Sequence, residues 1–109
     1  MAMTQSALAH AMAHDLLRAA PPEARISRLW VWSEHGYIDP ERDYVELSAF
    51  VDPVDEAAHQ RLLEAGTRLD ELYPDVLKTL HLLGPNVPGG RTPEQWINPL
   101  AEEIDLSAE

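Results

Sequence analysis

Leu29-Trp30-Val31-Trp32-Ser33, followed after a polar loop by Tyr44-Val45-Glu46-Leu47-Ser48-Ala49-Phe50-Val51-Asp52, decides how this chain folds. The second segment alternates. Val45, Leu47, Ala49 and Val51 fall on one side of an extended strand, and Tyr44, Glu46, Ser48 and Phe50 on the other. That is the period of a sheet with one buried face. The first segment extends to a strand over about Ile26 to Ser33. Between them, the loop Glu34 to Asp43 carries Gly36 and Asp39-Pro40, which are turn formers.

Outward from this pair the signals are helical. Thr4 can cap a first helix in which Leu8, Met12, Leu16 and Leu17 recur at helical spacing, and Pro21-Pro22 ends it. After the second strand, Asp52-Pro53-Val54-Asp55 reads as a helix start. Asp52 caps free amides, Pro53 stands where no amide is needed, and Asp55 favours the positive end. This helix should run to about Tyr73 with Ala58, Leu62, Ala65, Leu69 and Leu72 as its apolar stripe, and Arg61, Glu64, Arg68 and Glu71 largely outside it. Pro74-Asp75 breaks it, a third strand follows over Val76 to Leu83, and the Gly84 to Gly90 loop leads to Thr92-Pro93-Glu94-Gln95, with capping-box spacing, and a short C-terminal helix. The expected fold is therefore α/β (α+β), a small mixed sheet of about three strands packed with helices in the order α-β-β-α-β-α. Residues 1–109 form one domain. The Val45, Leu47, Ala49 and Val51 face should lie beneath the helix that starts after Asp52.

Charge limits the function. Eight basic against nineteen acidic residues give a formal charge of −11. Binding a phosphate backbone depends on clustered Lys and Arg, so nucleic acid is not an expected partner. A protein with a basic surface fits better, although a plain acidic surface of the bacterial cytosolic type accounts for the same composition. The absence of cysteine excludes disulfides, thiol catalysis and zinc–thiolate sites together. No apolar run approaches the ~20 residues of a membrane span, and Met1 to His14 lacks the basic start of a signal peptide, so a cytoplasmic protein is expected. A chain of this length also gains from burying apolar surface against a partner or a second copy.

The element order, with the endings Leu80-His81-Leu82-Leu83 and Thr92-Pro93-Glu94-Gln95-Trp96-Ile97-Asn98-Pro99-Leu100-Ala101-Glu102-Glu103-Ile104, resembles the minimal nucleotidyltransferase family over nearly the whole chain. Members of that family carry Gly-Ser at the end of the first strand, Asp-x-Asp on the second and often a third carboxylate on the third strand, and they bind two magnesium ions and a nucleoside triphosphate. The resemblance implies that the Gly position is Trp32, the Ser is Ser33, the two Asp positions are Tyr44 and Glu46, and the third carboxylate falls near Thr79. Two carboxylates one residue apart on a strand share a face and can hold a cation between them. Tyr44 and Glu46 provide only one. Asp43 is an odd number of positions from Glu46 and faces away in a regular strand unless a bulge re-aims it. Trp32 fills the space that glycine leaves for phosphate.

What the resemblance then implies is a non-catalytic, nucleotidyltransferase-like protein with no metal or cofactor, working as a protein-interaction module. Because the family's members are frequently antitoxin partners of a helical toxin family, an antitoxin-like role for a basic partner is one form of it. The alternative is a residual nucleotide-binding protein or transferase that keeps Ser33 and Glu46 as its site, with magnesium and a nucleoside triphosphate as cofactors. For the first function, Trp30, Trp32, Tyr44 and Phe50 are the candidate contact residues, since Trp30 and Trp32 share one face and Tyr44 and Phe50 can share it on the next strand. The plainer reading is that they are aromatic residues covering the sheet.

Other constellations are weaker. His10 and His14 have the spacing of a two-histidine metal site on a helix but lack a third ligand. Ser33 and His35 have no identifiable acid to make a triad. His81, on an apolar strand, fits a hydrogen-bonded core or edge residue better than a catalyst. The Gly84 to Gly90 loop lacks the ending of a phosphate loop, and its two prolines remove amide donors.

Overall fold

A computed structural model describes residues 5–52, 55–84 and 97–106. The elements in order are α1 (Gln5–Ala19), a short 3-10 turn (Pro22–Ala24), β1 (Ile26–His35), β2 (Asp43–Val51), α2 (Glu56–Leu72), β3 (Leu77–Leu83) and β4 (Glu102–Glu103). The fold is α+β with a four-stranded mixed sheet in the order β3-β2-β1-β4. β1 and β2 form an antiparallel hairpin, α2 carries the chain over to β3, parallel to β2, and β4 pairs antiparallel with β1.

One face of the sheet holds the core. Val45, Leu47, Ala49 and Val51 are all buried there, as the alternation of β2 requires. Leu29 and Val31 join them from β1, Leu8, Met12 and Leu16 from α1, and Ala65 and Leu69 from α2. Both helices therefore lie on the same side. Alanines at 9 and 13 keep the buried face of α1 shallow enough for close approach to the sheet. Its end is marked by Ala20 N–H donating to Leu16 O at 2.8 Å, just before Pro21.

Three local expectations change. The N-cap of α2 is Asp55 rather than Asp52: its backbone is extended and its Oδ1 accepts from Ala58 N–H at 2.8 Å. That amide, with Arg25 at 2.6 Å on the other oxygen, holds the Asp55 carboxyl below the usual carboxylate range. Arg25 sits at φ 56, a left-handed conformation that closes the 3-10 turn and aims the guanidinium at this cap. Leu72, expected in the apolar stripe, is 46% exposed, whereas Leu69 before it is buried and Tyr73 after it packs against the core.

The third change is at the C-terminus, where a strand stands in place of part of the expected helix. Residues 85–96, which include the Thr92 capping box and most of the Gly84 to Gly90 loop, lie outside the described residues, as do the Thr4 cap and Pro53. Downstream, Asn98 forms a turn with Ala101 N–H on its carbonyl at 2.9 Å and Leu100 N–H on its side chain at 2.8 Å. β4 then pairs with Trp30 and Val31, and Ile104 N–H donates to Leu29 O at 2.8 Å as its side chain enters the core. Burying Ile104 outweighs the helical tendency of the polar residues before it.

Candidate functional site

The hairpin register determines which side chains can meet. Its loop begins with Gly36 at φ 76, whose N–H donates to Arg42 O at 2.9 Å, and Asp39 accepts the amides of Glu41 and Arg42. Pairing is thus symmetric about Asp39, so Trp32 lies opposite Glu46, Glu34 opposite Tyr44 and Trp30 opposite Ser48. Directly opposed side chains share a face. β3 adds Thr79 beside Glu46 and His81 beside Ser48. The face away from the helices therefore carries Arg28, Trp30, Trp32, Tyr44, Glu46, Phe50, Thr79 and His81.

A polar cluster forms in its middle. The Tyr44 hydroxyl is 3.3 Å from Glu46 Oε2 and 3.0 Å from Thr79 Oγ1. One hydroxyl has one proton and the carboxylate can only accept; with Tyr44 donating to Glu46, Thr79 donates to Tyr44. Burial, outweighing the opposing bond from Thr79, raises the Tyr44 pKa above its ordinary value. His81 Nε2 stands 3.8 Å from the same carboxylate oxygen. Around this cluster, Tyr37 from the loop packs edge-on to Trp32 at 5.1 Å and tilted against Tyr44 at 5.1 Å, while Trp32 meets Tyr44 at 5.8 Å. Centroids this close mean rings in mutual contact, with no cleft between them. Farther along, Arg28 lies over Trp30 at 4.5 Å and makes a two-pronged pair with Glu103, which fastens β4 to the sheet.

Of the residues expected to bind nucleotide, Glu46 and Ser33 point to opposite faces. Ser33 is opposite Val45, on the helix side, and Glu46 is opposite Trp32. The reason is strand parity, not distance: a one-residue offset between opposed strands sends side chains to different sides. Glu46 meets Thr79, as the third-strand alignment predicts, but both are engaged with Tyr44. Asp43 also sits on the helix side, so no carboxylate joins Glu46 from β2. Of the expected contact residues, Trp30 and Tyr44 are 6% and 5% exposed and are spent within the domain, whereas Trp32 and Phe50 are half-buried.

Sequence reasoning missed two contributors. Tyr37, in the loop, is the most exposed ring of the aromatic trio; its signal was its place directly after the turn glycine, where a side chain folds back over the hairpin. The second is Asp43, which supplies His35 with the acid thought absent: His35 Nδ1 and Asp43 Oδ1 are 2.8 Å apart as cross-strand partners. Both side chains are open to water, so the pair lacks the water-excluded setting on which triad chemistry depends. It closes the hairpin. His10 likewise contacts Glu102 at 2.7 Å, joining α1 to β4. Among the described residues, no three His, Asp or Glu side chains are grouped to hold a metal ion. No helix there is long and apolar enough to cross a membrane.

No protein-family model, curated protein or solved structure matches this chain.

Proposed function

We propose that this chain is a non-catalytic protein-interaction module for a cytoplasmic partner with a basic surface. The opposed orientation of Ser33 and Glu46 supports the non-catalytic part: the two residues left from the nucleotidyltransferase-like motif stand on opposite faces of the sheet. The charge of −11 supports the choice of partner, because a field of that size draws a cationic protein and repels both nucleic acid and further copies of the chain. An antitoxin-like version, masking a basic toxin, is the form that the family resemblance suggests.

Thermal unfolding in the presence of magnesium with ATP, GTP, CTP or UTP tests this reading. A ligand that binds only the native state raises its stability, so the expected result is no change in Tm with any of the four. A magnesium-dependent rise of several degrees that Glu46→Gln abolishes would overturn it in favour of residual nucleotide binding.

A further inference from the structure

We propose that the outer edge of β3 and the groove between β3 and α2 take up an extended segment of a basic partner protein as an added strand, an inference that rests on the interaction-module reading above. Among the described residues β3 ends the sheet and pairs only with β2. A strand paired on one side presents alternate N–H and C=O groups outward, and no hydrogen bond joins those of residues 77–83 to any other described residue. Edge strands are normally guarded by charge, proline or a bulge. Leu77-Lys78-Thr79-Leu80-His81-Leu82-Leu83 has no proline, and its register with β2 runs unbroken. Its one formal charge is turned inward: Lys78 Nζ donates to Tyr73 O at 2.9 Å and Val76 O at 2.7 Å and pairs with Asp70 at 3.2 Å. Among the described residues the edge is thus apolar, regular and unprotected.

Beside it lies a cleft of about 280 Å³. Leu80 and Leu82 form the strand side, and Leu63, Gly66 and Thr67 the helix side. Leu63 is 54% exposed, an unusual position for a leucine beside a strand edge. Gly66 keeps the helix wall low, since a Cβ there would only just touch Leu80 at 3.7 Å. Edge and cleft together offer what strand addition requires: main-chain partners along β3 and a receptacle for every second side chain. Charge selects the occupant. Lys78 and Asp70, the two formally charged residues that line the cleft, pair with each other at 3.2 Å, so the surrounding field is set by the acidic excess of the whole chain. A second copy would bring the same charge. The fitting segment alternates aliphatic residues with Lys or Arg.

The test uses the full chain and a blocked nine-residue peptide alternating Val and Lys, with a Val and Glu peptide as control, followed by NMR-detected amide hydrogen exchange. Binding of the Val–Lys peptide should slow exchange at alternate amides of residues 77–83 by tenfold or more and weaken as salt rises. Leu63→Ala, on an exposed site that leaves the fold intact, should weaken binding at least fivefold, and Gly66→Leu, filling the cleft, should abolish it. Failure to bind, equal binding of the Val–Glu peptide, or unprotected β3 amides would overturn the proposal. Binding mapped instead to Trp32 and Tyr37 would overturn the β3 site while leaving the interaction-module reading intact, whereas stabilisation by magnesium and nucleotide would remove that reading itself.

Discussion

Truncating Leu47 to alanine probes the whole packing scheme at one atom group. Leu47 is 1% exposed on the inner strand β2, opposite Val31 on β1 and Leu80 on β3, and it belongs to the cluster shared by both helices. Buried leucine-to-alanine changes cost about 2–5 kcal/mol, and the cost rises with the volume that cannot collapse. Here hydrogen-bonded strands on both sides restrain collapse, so Leu47→Ala should cost about 3 kcal/mol or more. Each 1 kcal/mol lowers Tm by roughly 4–8 °C in a domain near this size, which makes the expected loss on the order of 12–24 °C. Leu72→Ala is the matched control. Periodicity alone places both leucines in the core, but Leu72 keeps nearly half its surface in water, and its truncation should cost about 1 kcal/mol or less. Urea and thermal unfolding followed by circular dichroism measure both. A Leu47→Ala cost under about 1 kcal/mol, or a Leu72→Ala cost equal to it, would refute the layer arrangement.

Tyr44→Phe and Thr79→Val each remove a hydroxyl from the bond that ties β2 to the edge strand, and a double-mutant cycle in urea should give a coupling of about 0.5–1.5 kcal/mol; additive losses would show that the bond contributes nothing. Tyr73 donates to Asp15 across the two helices, and burial, reinforced by that carboxylate, pushes its pKa up to about 12 from 10.0. The folded state then holds this proton more tightly than the unfolded chain, so its contribution is full below about pH 10 and is lost as pH rises towards 12. Stability measured across that window should fall in the wild type and fall less steeply in Tyr73→Phe; identical slopes would contradict the assignment.

How much of this was legible in the sequence depended on the range of the signal. The Val45 to Val51 face could be read because a half-buried strand repeats every two residues, and the buried run Ala58, Leu62, Ala65 and Leu69 because a helix repeats every 3.6. Leu72 continues that helical stripe without interruption, so nothing local marks it as the leucine that stays half in water. Asp52 and Asp55 are equally good caps by residue type, and only the position of the Ala58 amide separates them. β4 had no local signal, since two glutamates have little strand preference. Its existence depends on Ile104 reaching a core built mostly from residues 8–69.

The site shows a different kind of failure, one of counting rather than of missing information. Aligning Trp32-Ser33 and Tyr44-Val45-Glu46 with a motif by position treats the two strands separately and ignores how they face each other. Gly36 and Asp39-Pro40 already placed the turn, and a hairpin centred on Asp39 must set Trp32 against Glu46. Parity then sends Ser33 to the helix side and brings two aromatic side chains, Trp32 and Tyr44, beside the one remaining carboxylate. On that face the Glu46 carboxylate is bonded to a tyrosine and flanked by packed rings, and among the described residues β2 brings no second acid beside it. The same parity makes β3 the informative strand: Thr79 and His81 turn toward this filled face, Leu80 and Leu82 toward the cleft under α2, and among the described residues no strand pairs with its outer edge. Strand pairing therefore fills the face that carries Glu46 with aromatic side chains and, among the described residues, leaves β3 as the sheet's edge, the geometry on which the strand-addition proposal rests.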